Sequence, residues 1–489
     1  MVLRFPSVVL FPSILVVFAA AISPLWPFSI ADGGGFHDNQ RIIEISCLVL
    51  TALFGATLLI RFGREDLRQI FDRRITFFLF WFFLLGLASS VFAYSPRHAL
   101  FEWAGFLLLL TMSALIASEI RAKGQAWLDK ILLFCGLGAA VYIVIEAVVY
   151  IVAINAGGQP SNSFLIYGFD NYRFLNHVQT VTLPLLGLLI CRSANGKQKI
   201  FAWGVASAWW ALLFVPAGRG TLLGLAAGVC AAWFCLRGDA KPWCRVMLWS
   251  GLAGLGIYVL FYVLIPLSLG LHPFGFLSSV IERTIENPDS SRWSLWVRAW
   301  QITLAHPWLG AGPLHFAHFG RDVQLGAHPH NWVLQIACEW GIPALLALVA
   351  AIVLGFKKLL AARQYLLPTD VRNHLTLAAW LTTGVAILVD GLVSGLIVMP
   401  TSQLWIAVYI GCCWGWVASL TPSQHDSTLR LPMAVRFSGL AGLVMLIYFL
   451  GNGMWPEIRN LSLHEEQNLQ KERYAHPVPR PRIWRAGYF

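Results

Sequence analysis

Apolar runs of 16 to 25 residues recur along the whole chain, separated by short polar segments. A helix needs about 20 apolar residues to cross the hydrocarbon core of a bilayer. The pattern therefore predicts an all-α polytopic integral membrane protein with about 12–13 transmembrane helices. The expected spans are roughly 8–30, 42–60, 76–93, 103–118, 131–154, 178–191, 200–215, 221–236, 246–270, 331–355, 376–398, 403–420 and 435–451. Arg4 ahead of an apolar run, with small residues at Ala19–Ala21, resembles a signal peptide. The many spans that follow favour an uncleaved first helix. Four regions result: N-terminal spans over 1–270 (about nine), a large periplasmic loop with amphipathic helices over 271–330, C-terminal spans over 331–451 (about four), and a polar tail over 452–489.

Orientation comes from Lys/Arg bias. The loop Arg61–Arg74 carries five arginines and is expected in the cytoplasm. Alternation from it places 119–130, 192–199, 237–245, 357–374 and 421–436 on the same side, each with at least two basic residues. Segments 155–176, 216–220 and 271–330 then lie outside. An odd span count puts the tail outside as well, against its six Lys/Arg.

Composition agrees with this reading, since 57% hydrophobic and 12% charged residues exclude an ordinary soluble domain. The net charge of +11 fits cytoplasmic basic loops and anionic membrane lipids, and does not imply nucleic acid. The nine cysteines lie in or beside apolar runs, which argues against a disulfide framework and a cysteine zinc site. There is no Walker loop or convincing Rossmann fingerprint, so no nucleotide hydrolysis is expected.

The longest interval of mixed polarity is 290–341. It gathers His306, His315, His318, His328 and His330 with Arg292, Arg298 and Arg321, and a Gly-x-Gly turn at Gly310–Gly312. Polar chemistry this dense between membrane helices marks a candidate site. Ser290 or Ser291 reads as the cap of an amphipathic interfacial helix, with Arg292 near its start. In HPHN, His328 reads as a helix cap, Pro329 as the first helical residue and His330 as first-turn, where an imidazole can move a proton. Asn331 can hydrogen-bond a substrate group. Glu339 lies roughly 13 Å further along a regular helix, on the face of Gln335, and reads as a buried supporting residue. His315-x-x-His318 and His328-x-His330 offer imidazoles, but no acid or cysteine completes a known metal spacing, so no metal is expected.

Two other outside segments carry unusual residues. In PAGRGTLLG, Arg219 stands between glycines at a helix start. Free N–H groups, the helix dipole and a guanidinium suit an anion, and the glycines suit close approach of a ligand. The ordinary alternative is a snorkelling arginine. GFDNYRFLNHVQT places Asp170, Arg173, Asn176, His177 and Gln179 where a span enters the membrane. Its ordinary alternative is an interfacial loop.

The Arg219-Gly220 turn, the later Ser-Arg-Trp, the Gly-x-Gly turn and HN-x-x-L-x-x-x-x-E-x-G at His330–Gly341 together resemble the superfamily of O-antigen ligases and polymerases, which includes bacterial protein O-oligosaccharyltransferases. The resemblance implies a membrane glycosyltransferase whose donor is a glycan on undecaprenyl diphosphate, needing no nucleotide sugar, metal or other cofactor. It implies that Arg219 and Arg292 hold the diphosphate and that His330 activates an acceptor hydroxyl. It also implies an inner-membrane location with the site facing the periplasm. The acceptor is lipid A-core, a pilin-like protein or a growing glycan. GFDNYRFLNHVQT and an outside tail resemble the protein-glycosylating branch more than the ligase branch. A lipid-linked glycan flippase or secondary transporter would instead show inverted repeats and charges at mid-membrane.

Overall fold

The computed structural model describes residues 12–61, 72–156, 165–274, 292–323, 326–420, 432–471 and 481–489. Among them the regular structure is helical throughout. The main helices are α1 (Pro12–Ile22), α2 (Phe36–Arg61), α3 (Arg73–Val91), α4 (Pro96–Lys123), α5 (Gln125–Asn155), α6 (Arg173–Arg192), α7 (Gly196–Phe214), α8 (Arg219–Leu236) and α9 (Lys241–Tyr258). After them come α10 (Arg292–Ala305), α11 (Trp332–Trp340), α12 (Ile342–Ala361), α13 (Val371–Asp390), α14 (Pro400–Leu420), α15 (Met433–Met454) and α16 (Leu461–Lys471). Nine helical stretches among the described residues are long and apolar enough to cross a membrane. The chain is thus an all-α polytopic membrane protein.

Each predicted span overlaps a helix, and several boundaries differ: the first helix ends at Ile22, and the span expected over 246–270 continues past Tyr258 as a π-helical stretch, Val259–Leu264, and a last turn, Ile265–Ser268. Residues 331–355 do not form one helix, because Gly341 (φ 90°) separates α11 from α12. A side chain there would stand 2.3 Å from the Trp308 carbonyl oxygen. The span expected to reach 398 ends as a helix at Asp390. Residues 62–71 of the arginine-rich loop, the Ser290/Ser291 cap and Arg4 lie outside the described residues.

Helix contacts rest on small residues, which let backbones approach where lipid gives no hydrophobic drive to associate. Gly220, Gly224 and Gly228 recur every fourth residue on α8 and face Asp390, Ala386 and Thr382 of α13. Gly411 and Gly415 of α14 meet Ile116, Ala117 and Ile120 of α4 in the same way. α6 is the central helix, with 94% of its apolar window buried.

At one end of the bundle the short connections pair Arg192 and Arg372 with Asp129, at 2.6 and 2.5 Å, and Arg363 with Asp239 at 2.7 Å. At the opposite end α2, α6 and α8 begin and α13 finishes, and α10, α11 and the tail gather there. The tail sits at that end because Arg482 and Arg485 contact the starts of α2 and α4. Arg482, Ile483, Trp484 and Tyr488 are buried, so the last part of the polar tail belongs to the core. α10 is amphipathic as expected: Leu295, Ala299 and Ile302 face inward, while Trp293, Trp300 and Leu304 are exposed.

Candidate functional site: a strained histidine turn among three arginine-headed helix starts

The HPHN turn is arranged differently from the sequence expectation. Asn331, not His328, caps α11, its Oδ1 accepting the N–H groups of Val333 and Leu334 at 3.0 and 3.1 Å. Asparagine is among the strongest capping residues, and a residue before proline is steered away from helix, so the helix starts late. Pro329 is therefore not its first residue, and His330 stands just before the cap with φ 53°. A left-handed conformation costs a non-glycine residue of order 1–3 kcal/mol and persists only where surroundings impose it.

Those surroundings come from four directions. The His330 N–H donates to His328 Nδ1 at 3.3 Å. The Trp296 indole of α10 donates to the Pro329 carbonyl at 3.1 Å. Trp332 donates its backbone N–H to Gly391 at 2.9 Å and its indole N–H to Leu388 at 3.1 Å, both at the end of α13. His328 is buried with its ring against Gly395, where a side chain would come within 2.4 Å. Its Nδ1 accepts the His330 N–H and no N–H of α11.

Three helices at this end begin with an arginine: α6 with Arg173, α8 with Arg219 and α10 with Arg292. Arg292, Arg173 and His177 act electrostatically on His330. Arg173 and Arg219 are exposed and Arg292 is half-buried. His177 and Asn176 are buried on the first turns of α6, and among the described residues His177 Nδ1 and Asn176 Oδ1 have no hydrogen-bond partner. Asn176 Nδ2 donates to Gln179 Oε1 at 3.0 Å, and Gln179 Nε2 donates to the Trp209 carbonyl at 2.7 Å. Gln179 is thus a framework residue tying α6 to α7.

Asp390 of α13 ties two of these helices together. Its Oδ2 accepts from Thr180 Oγ1 of α6 at 2.6 Å and from Thr221 Oγ1 of α8 at 3.4 Å, and Thr221 Oγ1 also lies 2.9 Å from the Asn176 carbonyl. The glycines beside Arg219 also serve this packing. A side chain on Gly218 would meet Asn176 at 2.6 Å, and one on Gly220 would meet Asp390 at 2.5 Å.

Burial, with Arg292, His177 and Arg173 close by, pushes the His330 imidazole down to about 3. Each positive neighbour disfavours a second positive charge. His330 is therefore neutral across the physiological range.

Other candidate residues sit apart. Asp170 Oδ2 accepts the His37 N–H at 2.9 Å and braces the start of α2. Glu339 is fully buried and lies against Arg482 at 2.9 Å. Its backbone carbonyl accepts the Gly312 N–H at 2.9 Å, and Cys338 accepts the Ala311 N–H at 2.8 Å. The Gly-x-Gly turn (φ 71° and 111°) thus fastens the loop to the end of α11. His315 accepts the Ser95 N–H at 2.9 Å, and His318 stacks on Tyr94 at 4.2 Å. Neither joins His328 and His330. Sequence reading missed Arg482; the signal was Glu339 itself, a buried acid with no cation nearby in sequence.

A helical membrane bundle with arginines and a buried histidine turn gathered at one end defines the class. Residues 204–349 match a protein-family model described as O-Antigen ligase, a span that contains Arg219, Arg292, His330, Asn331 and Glu339. The match supports the O-antigen ligase superfamily, which covers O-antigen ligases and related polymerases. No curated protein matches the chain.

Proposed function

We propose that this protein transfers a glycan from undecaprenyl diphosphate to an acceptor hydroxyl at the periplasmic face of the bacterial inner membrane. The observation that carries this reading is a strained, neutral histidine under the influence of Arg292 and Arg173, with Arg219 heading a third helix at the same end of the bundle. Arg219 and Arg292 hold the diphosphate, Arg173 adds charge at the rim, and His330 is the base. The acceptor oxygen attacks the anomeric carbon and its proton passes to His330. The bond from that carbon to the diphosphate oxygen breaks, and the electron pair leaves with the lipid diphosphate. Arginines stabilise the negative charge that grows on the leaving group. The same diphosphate offsets the charges that hold the imidazole low, so donor binding makes His330 a stronger base. The chemistry needs no metal or cofactor. Asn331, Asn176 and His177 line the approach to the acceptor.

Purified protein in vesicles, given undecaprenyl-diphosphate-linked glycan, is expected to transfer it to one of three acceptors: lipid A-core, a pilin-like protein or a growing glycan. Lack of transfer to all three would overturn the reading.

Orientation is a separate expectation, supported by the basic residues at the end opposite the site. Single cysteines placed by Arg219→Cys, Arg292→Cys and His330→Cys, in a chain lacking the exposed Cys230 and Cys235, should react with a membrane-impermeant maleimide in intact spheroplasts. Reaction only after permeabilisation would reverse the topology.

A further inference from the structure

α11 is nine residues long and is cut from α12 at Gly341, so no membrane span fixes its direction. Its start carries the Asn331 cap, and His330 precedes it. One side chain from far along the sequence holds the other half. The Arg482 guanidinium donates to Glu339 at 3.1 and 2.9 Å and to Glu102 at 2.8 Å. With the Gln335 amide turned so that its oxygen faces Arg482, that oxygen accepts from both guanidinium Nη atoms at 2.8 and 2.9 Å. Gln335 and Glu339 are one turn apart, so a single planar cation grips one face of α11 twice. The Gln335 N–H in turn donates to the Asn331 carbonyl at 2.9 Å.

Arg482 is itself fixed. Its carbonyl accepts from Arg41 at 2.8 Å and faces His37 Nε2 at 3.3 Å, both on α2. Arg482 and Glu339 are 1% and 0% exposed in their side chains. Burial opposes the Arg482 charge, but Glu102 and Glu339 outweigh it and keep the guanidinium protonated. Well-packed apolar residues generally stabilise a core as well as a buried ion cluster does, so such a cluster is poor evidence for stability alone. What this one adds is direction, because it joins the starts of α2 and α4 to the helix behind His330.

We propose that Arg482 is a positioning residue for glycosyl transfer: by bridging Gln335 and Glu339 to α2 and α4, it sets α11 and the His330 turn against the arginine-headed helix starts. This rests on the transfer reading above. The test uses full-length wild type, Arg482→Gln and Arg482→Lys, with thermal stability, transfer kinetics and hydrogen exchange over 326–340 measured on each. Arg482→Gln is expected to lose at least tenfold in kcat with donor KM within twofold of wild type. Exchange at 328–340 should rise while α4 and α14 stay protected. Arg482→Lys keeps the charge but not the fork, and should recover part of kcat and part of the protection. A folded Arg482→Gln with wild-type kcat, or unchanged exchange at 328–340, would overturn the proposal. So would failure of both variants to fold, which would make Arg482 a core residue only. If wild type transfers nothing, the transfer reading fails, and the exchange measurement still decides whether Arg482 fixes α11.

Discussion

His330→Ala should transfer glycan at about 10⁻² to 10⁻⁴ of the wild-type rate, the usual cost of losing a general base, while donor affinity stays near wild type. Its ring is beside the arginines but is not a phosphate ligand in the proposed chemistry, so the loss belongs in kcat. Alanine keeps a Cβ, so the left-handed backbone at this position stays strained. Thermal stability is therefore measured on the same variant, and a near-wild-type value separates a chemical defect from misfolding. His328→Ala should lose clearly less. Its ring accepts the His330 N–H and fills the space above Gly395, so it shapes the turn without facing the acceptor. Transfer rate and lipid-diphosphate affinity, measured together for both variants, decide the matter. Wild-type transfer by His330→Ala, or a defect entirely in donor affinity, would move the base elsewhere, with His177 the next candidate on α6.

The helices were legible because spanning a bilayer requires long apolar runs, and that constraint acts locally along the chain. Arg173, Arg219 and Arg292 were legible for a related reason: a charge at the edge of an apolar helix is costly and stands out. The shape of the His330 turn was not. Its capping choice depends on Trp296 and on the end of α13, contacts that no local pattern encodes. The packing of the glycines around Arg219 was not legible because their neighbours, Asn176 and Asp390, come from α6 and α13. The four-residue glycine spacing of α8 was visible and points to helix packing, which is what it does. Glu339 was legible as buried, but its cation lies 143 residues away, in a segment that reads as polar tail. Local physics reveals which residues are unusual; tertiary contacts decide which of them meet.

Arg292→Ala and Arg219→Ala should each lower kcat/KM by roughly tenfold to a hundredfold at neutral pH, since a hydrogen bond to a charged group contributes about 1.5–3 kcal/mol. Lysine at either position should recover only part, because the planar fork is lost. Their pH profiles should differ. Arg292 is among the groups that hold the His330 imidazole at about 3, together with its burial, His177 and Arg173. The sign follows directly. A positive neighbour favours the neutral ring, so removing it raises the pKa towards the ordinary histidine value of about 6.5. The protonated ring cannot accept the acceptor's proton, so the acid limb of kcat/KM, which reports the free enzyme, should move to higher pH in Arg292→Ala. Wild type should show no histidine limb between pH 5 and 7, and Arg219→Ala should keep the wild-type limb while losing rate uniformly. The donor's own titration is common to all three proteins and cancels in the comparison. A wild-type limb near pH 6.5 would mean that the arginines do not act on His330. An Arg292→Ala profile parallel to wild type would assign Arg292 to donor binding alone.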